Sequence, residues 1–266
     1  MKCKFYGVVG AFQNFCDNQN FHHTSCVYVE TPTAHLIFDA GTGLKKCEQD
    51  NDLSSKPIFL FLSHFHYDHI LGLLFFNHLY SPSSPLYIVH PFPSVAEAAI
   101  TSLFSPTFFP LAFSSFKRAP TFITPADCKN FNLDVSFFKL FHPGDSYAYK
   151  LLLNEKTLVY ATDNELTAEN FNLTSSFFDS ASVLIHDCYF YKEKKSFVSN
   201  WGHSFLNQNL ELAIASNVSN LCLFHHNPSL ITSQYVSIQT EIDAFMNKHN
   251  HSFKCFLTYD NFSLDF

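Results

Sequence analysis

The chain has 266 residues, of which 47% are hydrophobic and 15% are charged, so it can bury a sizeable core and is not expected to be disordered. Its formal net charge of −7 argues against a broad basic face for duplex nucleic acid. The sequence has no apolar run of about 18 residues for a membrane span, no signal-peptide pattern and no C-x-x-C pair among its 8 cysteines. We therefore expect a cytoplasmic protein with mostly reduced thiols and no membrane contact.

Runs rich in β-branched and aromatic residues predict strands, and apolar residues at helical spacing predict helices. The strands are expected over residues 2–9, 26–31, 35–39, 57–62, 86–90, 135–142, 147–153, 157–162, 182–186, 221–225 and 253–258. The helices are expected over residues 68–80, 95–103, 168–178, 204–216 and 234–250. The Pro- and Ser-rich residues 105–125 are expected to form a surface loop.

The alternation of strand blocks and helices predicts a layered α/β protein in which residues 1–266 form a single domain. Within residues 135–162 the predicted strands follow one another without a helix between them. That arrangement favours an antiparallel meander over an all-parallel doubly wound sheet, because parallel strands need long crossover connections.

The segment from Ser63 to His69 carries the strongest chemical signal. It reads Ser-His-Phe-His-Tyr-Asp-His and lies between an apolar predicted strand and an apolar predicted helix. His64 and His66 are two residues apart, so they can project to the same side of an extended segment, while Asp68 and His69 begin the next turn. Nitrogen and oxygen donors this close together indicate a site for a divalent metal such as zinc, and not histidines that lie together on the surface by chance.

Further candidate donors stand where predicted strands end, and most are followed by a turn. They are Asp39 before Ala-Gly-Thr-Gly, His142 before Pro-Gly-Asp, Asp163, and the pair His225 and His226 before Asn-Pro. A single strand-terminal His or Asp is more often a turn residue than a ligand. Their common placement nevertheless indicates one site assembled from several strand ends.

Taken in order, these motifs resemble those of the metallo-β-lactamase superfamily over nearly the whole chain. The resemblance implies a four-layer αββα sandwich that binds two divalent metal ions, zinc or else manganese. It also implies a supporting role for Asp39. The implied ligands are His64, His66 and His142 for the first ion, Asp68, His69 and His225 for the second, and Asp163 for both.

A second resemblance is to the ribonuclease Z-like and cyclic-nucleotide phosphodiesterase-like branch of that superfamily. It rests on the segments Ile-His-Asp-Cys-Tyr and Trp-Gly-His-Ser, which supply Asp187 and His203. In that branch a metal-bridging hydroxide attacks phosphorus, and here Asp68 is counted with Asp187 and His203 among the catalytic residues. Asp187 would orient His203 and raise its pKa, so that the imidazole assists the leaving oxygen. Ser204 is expected to cap the helix that follows.

The roles of several residues near these motifs stay open. Trp201 either walls the pocket or, as we expect, packs against the protein. His226 either faces a phosphate oxygen or supports the site from outside, while His22 and His23 are more typical of a loop than of metal ligands.

The aromatic segment 104–113 also has two interpretations. Its Phe108, Phe109 and Phe113 either stack on a nucleobase or, slightly favoured, cover the core or a homodimer interface.

These features predict a metal-dependent phosphodiesterase for a small-molecule substrate, either a small or a cyclic phosphodiester. Because the chain has only 16 Lys and Arg and no long basic arm, transfer RNA is not the expected substrate. The alternative is a metallo-hydrolase of a thioester or lactone, which would not need Asp187 and His203. A non-enzymatic metal-binding sensor domain is the second alternative.

Overall fold

The computed structural model describes residues 1–13, 21–191, 200–249 and 253–266, and its strands form two sheets. The strands are β1 (Lys2–Gly7), β2 (Cys26–Glu30), β3 (His35–Phe38), β4 (Ile58–Phe61), β5 (Leu86–Val89), β6 (Thr121–Ile123), β7 (Asp134–Lys139), β8 (Tyr147–Leu153), β9 (Lys156–Ala161), β10 (Val183–Asp187), β11 (Asn220–Phe224), β12 (Lys254–Leu257) and β13 (Ser263–Asp265). The first sheet has the order β13-β1-β2-β3-β4-β5-β6, and the second has the order β12-β11-β10-β9-β8-β7. The predicted meander is confirmed, because β7, β8 and β9 pair antiparallel.

The two sheets pack face to face through aromatic side chains. The rings of Phe38 on β3 and Tyr160 on β9 have centroids 5.2 Å apart, and those of Phe61 on β4 and Tyr149 on β8 are 5.3 Å apart. These side chains belong to one continuous buried cluster that takes residues from both sheets. The many phenylalanines of the chain therefore supply much of the core between the sheets.

Helices cover the outer faces of both sheets. They are α1 (Gly43–Asp50), α2 (Tyr67–Ile70), α3 (Asn77–Tyr80), α4 (Pro93–Leu103), α5 (Phe171–Phe178), α6 (Leu206–Ala215) and α7 (Thr232–His249). Because side chains alternate along a strand, Ile37 and Leu60 point away from the neighbouring sheet and pack in a second cluster with residues of α1 and α4. The predicted four-layer αββα sandwich is thus confirmed.

The helix predicted over residues 68–80 is broken into three pieces. These are α2, a 3₁₀ turn at Leu71–Phe75, and α3. The break has a local cause: the backbone N–H of Gly72 donates to the carbonyl of Ala40 at 2.8 Å instead of to a carbonyl of its own helix. Helical periodicity in the sequence continued through a position where the backbone turns to meet another loop.

Other differences concern short elements and helix ends. The prediction lacked α1, which buries only Gly43, Leu44 and Cys47 and is otherwise polar, and it lacked the short edge strands β6 and β13. Residues 105–124 are irregular except for β6 and a 3₁₀ turn at Phe113–Ser115, and Pro125 begins a 3₁₀ helix that ends at Phe131. The predicted helix starts at 168 and 204 are early, and the predicted end at residue 250 lies outside the described residues.

Seven cysteines are free, and Cys16 lies outside the described residues. Among the residues that the structure describes, no helix has both the length and the apolar character needed to cross a membrane.

Candidate metal centre

The site lies at one edge of the sandwich, where several strands end. Its residues follow β3, β4, β7, β9 and β11 or, for Asp187, end β10. Asp39 and His225 come directly after β3 and β11, and Asp163 follows β9 after one residue. All three have left-handed backbones, with φ of 57° for Asp39, 59° for His225 and 56° for Asp163. Asp is among the residues that tolerate this conformation best, and a turn at these positions stops the strand beside the site.

The first group of donors contains His64, His66, His142 and Asp163. The Nδ1 atom of His66 is 3.2 Å from Nε2 of His142. The Nε2 atoms of His64 and His142 are 3.5 Å and 3.6 Å from Oδ2 of Asp163. One atom of each of the four side chains therefore converges on a common point.

The second group contains Asp68, His69 and His225, again with Asp163. Nε2 of His225 is 3.2 Å from Nε2 of His69 and 3.1 Å from Oδ2 of Asp68. Oδ1 of Asp163 is 3.1 Å from Nε2 of His225 and 3.4 Å from Nε2 of His69. The two oxygens of Asp163 therefore face different groups, which is the arrangement of a carboxylate between two cations.

These donors fit divalent cations such as zinc. Ligands about 2.0–2.1 Å from a tetrahedral zinc ion are separated from one another by about 3.3 Å, close to the separations in both groups. Nε2 of His64 is buried and has no hydrogen-bond partner among the described residues, which a metal ligand needs to keep its lone pair free. Imidazole and carboxylate without thiolate suit zinc and manganese.

Asp39 supports both groups from behind, as the sequence predicted. Its Oδ2 accepts hydrogen bonds of 2.7 Å from His69 Nδ1, the hydroxyl of Ser63 and the hydroxyl of Tyr160. Its Oδ1 accepts another from the backbone N–H of Ser63. The hydroxyl of Ser63 also lies 3.0 Å from Nδ1 of His64, so the carboxylate orients His69 directly and His64 through Ser63.

The surroundings of His64, Asp68 and Asp163 favour the protonation states that these side chains need as metal ligands. Burial lowers the pKa of His64, and its histidine neighbours add to the effect, so the ring is neutral. Burial alone would raise the pKa values of Asp68 and Asp163, but the surrounding imidazoles hold both well below the usual range. Burial likewise lowers the pKa of His69, but the carboxylates around it outweigh burial and raise that pKa. A cation binding there would displace this proton.

His203 and Asp187 form the predicted pair beside these groups. Nδ1 of His203 is 2.7 Å from Oδ2 of the fully buried Asp187. That carboxylate also accepts the backbone N–H groups of Asn164 at 3.1 Å and Tyr189 at 3.0 Å, and the Tyr189 ring stacks on the imidazole with centroids 4.6 Å apart. Burial lowers the pKa of His203, but Asp187 outweighs it and raises the pKa to about 9.

A cavity of about 580 Å³ opens onto both groups and onto His203. Its wall includes Phe65, Tyr67 and Trp201. The expectation that Trp201 packs against the protein is wrong: its side chain is 55% exposed and lies on the cavity wall. The mouth of the site is therefore aromatic.

His226 supports the site from outside and does not face the cavity. Its Nε2 donates to the carbonyl of Thr258 at 2.8 Å, and its Nδ1 accepts from the hydroxyl of Tyr191 at 2.6 Å. Burial lowers its pKa to about 3, so the ring is neutral.

Two other expectations near the site are resolved by hydrogen bonds. His22 and His23 donate their backbone N–H groups to Asp260, and neither belongs to a metal-binding group among the described residues. Ser204 is not the helix cap: α6 begins at Leu206, and the Ser204 hydroxyl donates instead to the carbonyl of Asn164.

The aromatic segment 104–113 lies away from the cavity wall. Phe109 and Phe113 pack against the cluster under the first sheet, and Phe108 is exposed. These positions favour the covering role over stacking on a base. The homodimer stays a prediction.

Several residues of the site were not predicted from the sequence. Asn164 and Glu165 lie one and two residues after Asp163, and Tyr189 lies two residues after Asp187. Nearness in the sequence to a predicted site residue was the only signal they carried. Their contacts run across the fold, so no local pattern identifies them.

The chain has the metallo-β-lactamase fold, and its donor groups could hold divalent cations. Residues 1–251 match the model of the family described as Anti-Pycsar protein Apyc1, and the chain belongs to that family. Among curated proteins, none matches this sequence.

Solved structures share the fold at low sequence identity. The metallo-β-lactamase fold protein YhfI from Bacillus subtilis is 19% identical, with a TM-score of 0.72 over 99% of each chain. The short form of human tRNase Z (ELAC1) is 16% identical, with a TM-score of 0.67 over 100% of this chain and 99% of that one. A diphosphatase of the PhnP family is 12% identical, with a TM-score of 0.69 over 100% and 97%. The predicted metallo-β-lactamase fold is thereby confirmed.

Proposed function

We propose that this protein is a binuclear, zinc-dependent phosphodiesterase that hydrolyses a small or cyclic phosphodiester. The observation that carries the proposal is the position of His203. Its imidazole is held by the buried carboxylate of Asp187 and lines the same cavity as both donor groups. A thioester hydrolase would have little use for that pair, because a thiolate leaves without a proton.

The donor groups assign a ligand set to each cation. His64, His66 and His142 would hold one, Asp68, His69 and His225 the other, and Asp163 both. When bound, divalent cations in such a pair lower the pKa of water and neutralise charge on the phosphoryl oxygens.

His203 has the chemistry of a general acid. Because its Nδ1 donates to Asp187, the other ring nitrogen carries the proton that can be transferred. Hydrolysis adds water to phosphorus and breaks the bond from phosphorus to the leaving oxygen. The proton of His203 Nε2 passes to that oxygen, and the imidazole is recharged from solvent. Asp187 keeps the imidazolium in place and does not itself need to be protonated.

The volume of the cavity, its aromatic wall and the net charge of the chain support this substrate class. An acidic chain with few cations is poorly suited to a long polyanion, whereas a cavity of about 580 Å³ suits a nucleotide-sized molecule. The aromatic wall suits a planar base. The family's description as anti-Pycsar also suggests cyclic-nucleotide hydrolysis.

The test compares two leaving groups in one variant. For His203→Ala we expect unchanged metal content and a loss of turnover of about 10²–10⁴-fold on a 3′,5′-cyclic nucleotide, whose alkoxide needs a proton. The loss should be much smaller on bis-p-nitrophenyl phosphate, because nitrophenolate leaves unaided. Equal losses on both substrates, or full activity on the cyclic nucleotide, would remove His203 as the acid. Faster wild-type turnover of lactones or thioesters would overturn the phosphodiesterase assignment.

A further inference from the structure

Glu165 is a charged side chain beside the loop that carries His142. It follows the bridging Asp163 by two residues, and its backbone N–H donates to the carbonyl of Phe141 at 2.9 Å, next to His142. Its side chain is partly buried. The residue therefore touches both the end of β9 and the loop that carries His142.

The carboxylate of Glu165 binds the backbone of the loop before His203. Oε1 accepts the N–H of Asn200 at 3.0 Å, and Oε2 accepts the N–H of Gly202 at 2.9 Å. Both loop residues have left-handed backbones, with φ of 66° and 81°. Two backbone N–H groups that converge on one carboxylate form a small anion-binding concavity. The Glu165 carboxylate bound there holds the loop in this conformation.

The loop in turn fixes a proposed metal ligand. The carbonyl of Gly202 accepts a hydrogen bond of 3.1 Å from Nδ1 of His142, which leaves Nε2 free to face His66 and Asp163. A Cβ on Gly202 would lie 2.0 Å from that Nδ1, so the backbone lies directly against the imidazole and leaves no room for a side chain.

The next residue after Gly202 is His203. Its ring is 5.4 Å from that of His142 between centroids. The direction of its side chain depends on the same loop backbone that Glu165 holds.

We propose that Glu165 is a positioning residue that orients the metal ligand His142 and the acid His203 through the backbone of residues 200–202. The part concerning His203 rests on the proposed function, and the part concerning His142 does not. Glu165 touches no reacting atom, so its effect is transmitted through the loop.

The decisive variant is Glu165→Ala, with Glu165→Gln as the conservative partner and Glu169→Ala as the control. Glu169 is an exposed carboxylate close by in the sequence. In competition with a chelator, zinc affinity should fall about 10- to 100-fold in Glu165→Ala, as for other residues that support metal ligands. It should recover partly in Glu165→Gln, whose amide oxygen can still accept one N–H, and stay unchanged in Glu169→Ala.

Two further measurements separate positioning from general destabilisation. In the metal-free protein, hydrogen exchange at the amides of residues 200–203 should accelerate in Glu165→Ala, while the amides of β9 and β10 keep their protection. With saturating zinc, turnover should fall more on a poor leaving group than on nitrophenolate, as for His203→Ala.

Wild-type zinc affinity together with wild-type exchange at residues 200–203 in Glu165→Ala would overturn the proposal. If the protein hydrolyses no phosphodiester, the affinity and exchange results still decide the role of Glu165 towards His142. The two proposals therefore fail independently.

Discussion

Replacement of Asp39 by Asn tests how this carboxylate holds the proposed metal ligands His69 and His64. The carboxylate is fully buried and accepts four hydrogen bonds, three on Oδ2 and one on Oδ1. An Asn side chain has the same shape, but either orientation turns its NH₂ group towards a donor. The less costly orientation places the NH₂ group at the position of Oδ1, where it faces the backbone N–H of Ser63. That buried N–H then has no acceptor, at a cost of about 1–3 kcal/mol.

The effect on metal binding should be about as large as the effect on folding. Without the carboxylate, Nδ1 of His69 loses its charged acceptor, and the tautomer with a free Nε2 is less favoured. We expect Asp39→Asn to remain folded, with zinc affinity about 10- to 100-fold lower for the group containing His69. Ser63→Ala is the matched variant, because it breaks only the link from Asp39 to His64.

Calorimetric titration of the metal-free proteins, checked by elemental analysis, measures the binding steps separately. Asp39→Asn should weaken the step assigned to His69 more than the other, and Ser63→Ala should weaken only the step assigned to His64. If Asp39→Asn binds both equivalents with wild-type affinity, or if the two variants weaken the same step equally, the support assigned to Asp39 is wrong.

Three further outcomes are expected. His66→Ala should lower the zinc content and abolish turnover, since its Nδ1 is 3.2 Å from Nε2 of His142; elemental analysis with full zinc occupancy would contradict this. Gly10→Ala should reduce bound zinc towards one equivalent per chain, because the new Cβ would lie 2.3–2.8 Å from the His225 ring; an unchanged stoichiometry would count against the ligand role of His225. Burial raises the pKa of Asp260 to about 6, so the folded state holds this proton more tightly than the unfolded one. The stability that the proton confers is fully present below about pH 4 and is lost as pH rises through 6, a difference of about 3 kcal/mol. Urea unfolding at pH 4.5 and 7.5 should show this part of the pH dependence in the wild type and not in Asp260→Asn; equal dependence in both would refute it.

The local part of the candidate site could be predicted from the sequence. His64 to His69 lie within six residues at a strand-to-helix junction, so their spacing alone predicted a metal motif. The strand-ending donors Asp39, His142, Asp163 and His225 were found because each follows an apolar strand. Side chains alternate between the two faces of a strand, so the strand pattern predicts where a donor at its end lies.

The residues that hold these donors in place could not be read in the same way. Asn164 and Glu165 act through contacts with residues 23 to 40 positions away, including Asp187, Gly202 and Ser204. Similarly, the helical period over residues 68–80 gave no sign that the N–H of Gly72 pairs with Ala40. Contacts between distant loops depend on the assembled sandwich, and one sequence carries no pattern for them.

A zinc titration of the metal-free protein, with hydrolysis of a 3′,5′-cyclic nucleotide as the readout, tests the proposed function most directly. We expect no turnover without metal, and activity that rises and reaches its plateau at two equivalents of zinc per chain. Saturation with two equivalents and no hydrolysis of any phosphodiester, or undiminished hydrolysis by the metal-free protein, would contradict it.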